Sequence, residues 1–117
     1  MTSKVAVVEF DEKNAVQLNR ALDLIGGIVD LNAAERHVVI KVGVFSHKAE
    51  NHASVGLVNA IINCFDRAPK VFVAESDNYR GTGSERLEIW KELYSQRVVS
   101  FDLSGDSETR RVKIANQ

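Results

Sequence analysis

The chain alternates short apolar runs with stretches in which apolar residues recur every three or four positions. The apolar runs of strand length are Lys4–Phe10, His37–Phe45 and Lys70–Glu75. Helical spacing follows each run, and the three predicted helices begin near Asp11, Ser54 and Thr82. Strands that alternate with helices indicate a mainly parallel sheet joined by right-handed crossovers.

Residues that start and stop helices support these boundaries. Asp11 is a suitable N-cap, and Gly26 with Gly27 predicts the end of the first helix. Thr82 and Glu85 have the spacing of a capping box for the third helix, which is predicted to extend to Tyr94. Ser84 is an alternative cap that would move this start by two residues.

The pattern changes near the end of the chain. Val98–Leu103 and Arg110–Ala115 alternate between apolar and polar residues, which is typical of strands with one wetted face. The turn-rich stretch between them predicts an antiparallel hairpin at one sheet edge. The full order is therefore β-α-β-α-β-α-β-β. We expect a single Rossmann-like α/β domain over residues 1–117, with three layers and helices on both faces of a mainly parallel sheet.

Composition narrows the class of protein. The chain has 117 residues, of which 44% are hydrophobic and 26% charged, so it has the composition of a folded domain. Its 15 basic and 16 acidic residues give a net charge of -1, which argues against nucleic acid as a partner. Cys64 is the only cysteine and lies in an apolar helical run. No signal peptide or membrane-spanning run is recognisable, so we expect a cytoplasmic protein with no membrane partner.

Polar residues with useful chemistry gather in two loops. Phe45–Ala53 and Ser76–Ser84 each follow a predicted strand and lead into a helix. Ligands of open parallel sheets bind outside the carboxyl ends of the strands, and helix starts favour anions. We therefore expect a small anionic ligand at this rim. The candidate ligand-binding residues are Lys41, Ser46, His52, Ser76, Asp77 and Arg80.

Each candidate also has a structural interpretation. His47 and His52, near Glu50, are candidate metal ligands, but two exposed loop histidines are the more ordinary interpretation, and His52 could instead cap a helix. Lys41 would either reach a ligand or pair with a carboxylate. The glycine-containing loop before Thr82 matches no phosphate-binding motif, so a flexible loop is the alternative there.

The order of these pieces is similar to a known family. The segments "KVAVVEFDEKNAVQLNRALDLIGGI", "HVVIKVGVF", "NHASVGLVNAIINCF" and "KVFVAESDN" resemble the N-terminal half of the family called domain of unknown function 362. Lys41 stands at the family's strand-end lysine, His52 at its His or Thr, and Glu75-Ser76-Asp77 at its acidic strand end. Val42-Gly43 replaces the family's Pro-Asn, and Ala53 replaces a proline. The family's second motif and its cysteine clusters are missing.

The resemblance implies a degenerate member of the family, a domain that is shortened relative to the family, or one half of a site that a partner completes. It implies no particular reaction or cofactor. Two functions remain open at this point. The first is a domain that binds a small anion or a metal at the rim. The second is a non-catalytic interaction domain that forms a homodimer through the edge pair Val98–Leu103 and Arg110–Ala115.

Overall fold

A computed structural model describes residues 2–12, 16–46, 48 and 51–115 of the chain. Its strands are β1 (His37–Lys41), β2 (Val44–Ser46), β3 (Asn51–His52), β4 (Lys70–Glu75) and β5 (Val98–Asp102). Its α-helices are α1 (Val16–Leu24), α2 (Val55–Cys64) and α3 (Gly83–Leu87). Two 3₁₀ segments cover Glu88–Leu93 and Leu103–Gly105. The mixed α/β class expected from the sequence is confirmed.

A three-stranded parallel sheet forms the centre of the molecule. Its order is β1-β4-β5, so the middle strand is β4. Val71 of β4 lies opposite Val38 on one side and Val98 on the other. Parallel strands that are neighbours in a sheet require crossover connections. Here α2 connects β1 to β4, and α3 connects β4 to β5. The parallel sheet predicted from the alternation of strands and helices is therefore confirmed.

The hydrophobic core lies on one face of this sheet. Side chains of alternate sheet residues pack there with side chains from both crossover helices. The buried members of this cluster are Val42, Val44, Val58, Ile62, Ala68, Val71, Val73, Leu87, Trp90 and Val98. Both helices lie on this same face, because successive right-handed crossovers in one direction across a sheet fall on one side.

The other face of the sheet carries apolar side chains without a helical cover among the described residues. Val39 is 59% exposed, and the rings of Phe72 and Phe101 are in edge contact at 5.8 Å. We call Val39, Phe72 and Phe101 the open face; they line a hollow of about 130 Å³. The expected third layer of helices is not seen in the described part of the chain.

Two predicted strands are absent. Lys4–Phe10 and Arg110–Ala115 have no strand structure, and their exposed valines include Val7 and Val112. An extended segment needs a neighbour to satisfy its backbone groups, and alternation in the sequence does not supply one. After β5 the side chain of Asp102 accepts a hydrogen bond from Ser104 N–H, which begins a 3₁₀ turn instead of a hairpin. The predicted antiparallel edge pair is therefore wrong, and β5 pairs with β4 in parallel.

The predicted strand His37–Phe45 is divided into two. β1 ends at Lys41, and β2 starts at Val44 and pairs with β3 in antiparallel fashion. Between them, Val42 N–H still donates to Ala74 O of β4. Val44 N–H then donates to the carboxylate of Glu75, which draws the chain across the end of β4. A buried side-chain acceptor therefore ends the ladder that the apolar pattern suggested would continue.

Helix ends match the sequence more closely. Gly26 and Gly27 have positive φ angles of 107° and 78°, and Gly27 N–H donates back to Leu22 O, as in a Schellman motif. Thr82 and Glu85 form the predicted capping box. Ser84 is not the cap; its hydroxyl donates to Asp102. The region between Asp11 and α1 includes residues 13–15, which lie outside the described residues.

Candidate functional site

A buried carboxylate occupies the end of the central strand. Glu75, the last residue of β4, is 2% exposed. Its Oε1 accepts hydrogen bonds from Lys41 Nζ and from Ser76 N–H, both at 2.9 Å. Its Oε2 accepts from Val44 N–H at 3.2 Å. The side chain therefore joins the ends of β1 and β4 to the start of β2.

Arg86 is the second charge at this position and is also buried, at 4% exposed. One terminal nitrogen lies 3.5 Å from Glu75 Oε2, and the other donates to the carbonyl of Ser76. Its Nε–H is buried and has no hydrogen-bond partner among the described residues. A buried donor without an acceptor is costly, so this atom marks a place where a further acceptor would be favourable.

The balance of these contacts keeps Glu75 ionised. Burial is the largest single influence and would raise the pKa of this carboxyl. The Ser76 hydrogen bond, the Lys41 hydrogen bond and the charges of Arg86 and Lys41 together outweigh burial, so the pKa of Glu75 lies below its ordinary value. With two cations and one anion, the cluster Lys41–Glu75–Arg86 has a net charge of +1.

Lys41 is the exposed member of the cluster. Its side chain is 59% exposed, whereas that of Glu75 is 2% exposed. An ammonium group has three donors, and among the described residues one of them is used, by Glu75. The sequence left open whether this lysine pairs with a carboxylate or reaches a ligand. The structure shows the pairing, and the exposure leaves the remaining donors accessible.

The start of α3 is already occupied by the protein's own acids. Asp77 accepts from Gly83 N–H at 2.7 Å, and Glu85 accepts from Thr82 N–H at 3.0 Å. Asp102 accepts from Ser84 at 2.9 Å. Free N–H groups at this helix start were part of the reason for expecting an anion here. The carboxylates use those donors and repel an incoming anion, so Asp77 has a capping role in the structure.

Arg80 belongs to a separate aromatic group. Its guanidinium lies 4.6 Å from the centre of the Phe45 ring and 5.1 Å from that of Tyr79. Asn78 Nδ2 also donates to Phe45 O, so the two predicted ligand loops do contact each other. Arg80 forms no hydrogen bond or ion pair with Lys41 or Glu75, whose polar partners are each other, Arg86 and backbone N–H groups. The loops are neighbours as expected, but their charged side chains are divided between two groups.

The remaining candidates have structural roles or lie outside the described residues. His52 is half-buried, its Nδ1 is 2.9 Å from Ala53 O, and its ring is in edge contact with Trp90. Ser54, not His52, caps α2. Ser46 is buried in β2, and its N–H donates to Asn51. His47 and Glu50 are not among the described residues, so the predicted metal pair His47–His52 stays a prediction.

The described residues offer no three-ligand metal site, and the thiol of Cys64, beside a separate hollow, is not activated. Across residues 2–12, 16–46, 48 and 51–115, no group of three His, Cys, Asp or Glu side chains could hold a metal ion. One hollow of about 160 Å³ lies between α1 and α2, beside Asn19, Asn32 and Cys64. Burial and the nearby charge of Asp66 raise the pKa of Cys64, so this thiol is a poor nucleophile.

Sequence reasoning missed Arg86. It lies four residues before Trp90, on the inward side of the predicted third helix, where an arginine needs a buried partner. That inward position was the feature of the sequence from which a buried role for Arg86 could have been predicted. The same logic would have linked Arg86 to the acid at the end of β4, because α3 follows that strand directly.

Comparison with known proteins adds no relative. No protein-family model, no curated protein and no solved structure matches this chain. The resemblance to the family called domain of unknown function 362 therefore stays a prediction. Within the described ranges, none of the helices has the length and apolar character needed to cross a membrane.

Proposed function

We propose that this chain binds a small anionic ligand, such as a phosphate or carboxylate, at the Lys41–Glu75–Arg86 cluster. The observation that carries the proposal is that exposed Lys41 and buried Arg86 share one carboxylate, Glu75, while the Nε–H of Arg86 has no partner among the described residues. Charge-assisted hydrogen bonds from guanidinium and ammonium groups to an anion are stronger than neutral ones. Glu75 would act as a positioning residue that holds both cations without neutralising them.

The expected ligand position differs from the one suggested by the loops. Asp77 and Asp102 are negatively charged and use donors at the start of α3, so an anion is disfavoured there. It would bind on the side of Lys41, near the end of β1. Ser46, His52, Ser76 and Arg80 are not needed in this proposal. A metal held by His47 and His52 is a separate proposal, which the same titration tests with Zn²⁺.

A thermal-shift titration with inorganic phosphate, pyrophosphate and citrate tests the proposal. A ligand present at about 100 times its Kd stabilises the folded state by about 2.7 kcal/mol. We expect this stabilisation in the parent chain and a loss of at least tenfold in affinity in Lys41→Met. Lys91→Met, which removes an exposed lysine outside the cluster, is the matched control. Equal shifts in both variants, or no shift with any anion, would reject the site.

A second candidate function is a non-catalytic interaction domain, and the open face favours it. Parallel sheets are normally covered on both faces, because their strands are apolar on both sides. Here Val39, Phe72 and Phe101 line an uncovered hollow. In this proposal a partner supplies the missing layer and completes the three-layer, Rossmann-like architecture. Light-scattering mass across a concentration series is the first test.

We also propose a cytoplasmic location. The single cysteine, Cys64, accords with a compartment in which thiols stay reduced. Fractionation of cells that produce the tagged chain would test this, and recovery from a secreted fraction would contradict it.

A further inference from the structure

We infer that two copies of this chain associate by strand exchange, in which Lys4–Phe10 of each copy pairs in parallel with the free edge of β1 in the other. The inference rests on the second proposed function, the interaction domain, and not on anion binding. Because it places Glu9 beside Lys41, the pairing and a bound anion would compete for that lysine. It follows from an unused edge, an unused strand-like segment and the match between them.

The unused edge belongs to β1. This strand pairs with β4 on one side, and no described residue pairs with its other side. A hollow of about 240 Å³ borders this edge and includes both Val38, on the core side, and Val39, on the open face. Arg36 and Phe65 also line it. The edge therefore has apolar surface on both of its sides, which is what an added strand would cover.

The unused segment is Lys4–Phe10. Its side chains alternate: Ala6, Val8 and Phe10 are half-buried, whereas Val5 and Val7 are 87% and 89% exposed. This is the exposure pattern of a strand, although the segment makes no strand pairing. The radius of gyration of the chain, 15.9 Å, exceeds the about 13–14 Å expected for a compact domain of this length.

Charge and hydropathy select one register. With Val7 beside Val39 in parallel, Val5 lies beside His37, and Glu9 lies beside Lys41. Ala6 and Val8 then lie on the core side, next to Val38 and Ile40, which already contact the core cluster. The antiparallel alternative would place Glu9 at His37 and leave Lys41 beside a valine. The parallel register therefore matches charge at one end and apolar side chains along the rest.

Exchange between two copies is possible because one chain carries both of the elements that pair. Each copy carries both the edge and the segment that fits it, and the pairing is not made within one copy. Two copies can therefore form both pairings at once around a twofold axis, and the assembly closes as a dimer. The added strand would bring Val5 and Val7 onto the open face beside Val39, which extends its apolar surface.

A crosslinking experiment between differently tagged chains tests this pairing. One chain carries Val7→Cys, the other carries Val39→Cys, and both carry Cys64→Ser. Val7 and Val39 are exposed, so these changes leave the fold intact. A short bifunctional maleimide should give a crosslinked heterodimer of twice 13.0 kDa. Ala6→Cys with Val39→Cys is the control, because adjacent strand residues point to opposite faces and this pair should crosslink at least tenfold less.

The outcomes separate this inference from the broader proposal. A light-scattering mass of one chain, 13.0 kDa, at every concentration overturns both. A dimer without the Val7–Val39 crosslink overturns the strand exchange alone. A chain with both cysteines that crosslinks only to itself overturns it too, since the segment then closes on its own sheet. Glu9→Lys should weaken dimerisation at least tenfold. Asp30→Lys, which makes the same reversal of charge at another exposed acid, should leave dimerisation unchanged.

Discussion

Replacement of Glu75 by glutamine distinguishes the contribution of buried Arg86 to the free energy of unfolding from that of exposed Lys41. Glutamine has nearly the same shape and removes the negative charge, so Arg86 would remain buried without its anion. Breaking a buried ion pair by removing one partner costs about 3–5 kcal/mol. Lys41 is 59% exposed, so its share of the loss should be that of a surface pair, about 0–1 kcal/mol.

Urea denaturation by linear extrapolation measures these differences. We expect Glu75→Gln to lower the free energy of unfolding by about 3–5 kcal/mol and Lys41→Met by less than about 1 kcal/mol. The double variant Glu75→Gln/Arg86→Met should recover most of the loss, because it removes the unpaired buried charge. Glu92→Gln, at an exposed position, is the control and should lie within about 0.5 kcal/mol of the parent.

Two results would refute this reasoning. One is a cost for Glu75→Gln no greater than that for Lys41→Met, which would mean that the buried arginine does not depend on the carboxylate. The other is a double variant as unstable as Glu75→Gln alone. In that case the loss would come from the two backbone donors, Val44 N–H and Ser76 N–H, instead of from Arg86.

Three further predictions follow from the same geometry. Because the pKa of Glu75 is lowered in the folded state, its contribution to stability is present above pH about 4.5 and is lost as the pH falls through the folded pKa; urea midpoints between pH 7 and pH 2 should decline less steeply in Glu75→Gln, and parallel profiles would contradict this. Gly83→Ala should destabilise by about 1–3 kcal/mol, because a Cβ there would lie 2.9 Å from Glu75 O and would collide with Asp102; Gly105→Ala, with open space around its Cβ, is the control in thermal melts. Thr82→Ala should cost about 1 kcal/mol through loss of the cap, measured by urea denaturation; Thr82→Ser keeps the capping hydroxyl, so an equal cost for Thr82→Ser would contradict this.

Local features of the sequence predicted the elements whose stability is local. The Schellman ending at Gly26 and Gly27 and the capping box at Thr82 need only residues a few positions apart, so their spacing was sufficient. The continuous apolar run of β4 likewise indicated a buried parallel strand. By contrast, Lys4–Phe10 has a strand-like pattern but no strand partner. A strand requires a neighbour, and the identity of that neighbour is not a local property.

The candidate site shows the same division. The sequence by itself placed the acid of Glu75 at a strand end and brought the loops after two strands to one rim, because parallel strands end together. Lys41 was expected inside a longer strand, and only the structure shows that β1 ends there. Only the tertiary structure decided that Glu75 pairs with both Lys41 and the buried Arg86, and that Asp77 and Asp102 occupy the donors at the start of α3. These pairings span up to 34 residues of chain, between positions 41 and 75, and depend on how α3 packs across β4. Hydrogen bonds act over about 3 Å, so charges that residue type suggests for one ligand can satisfy each other instead.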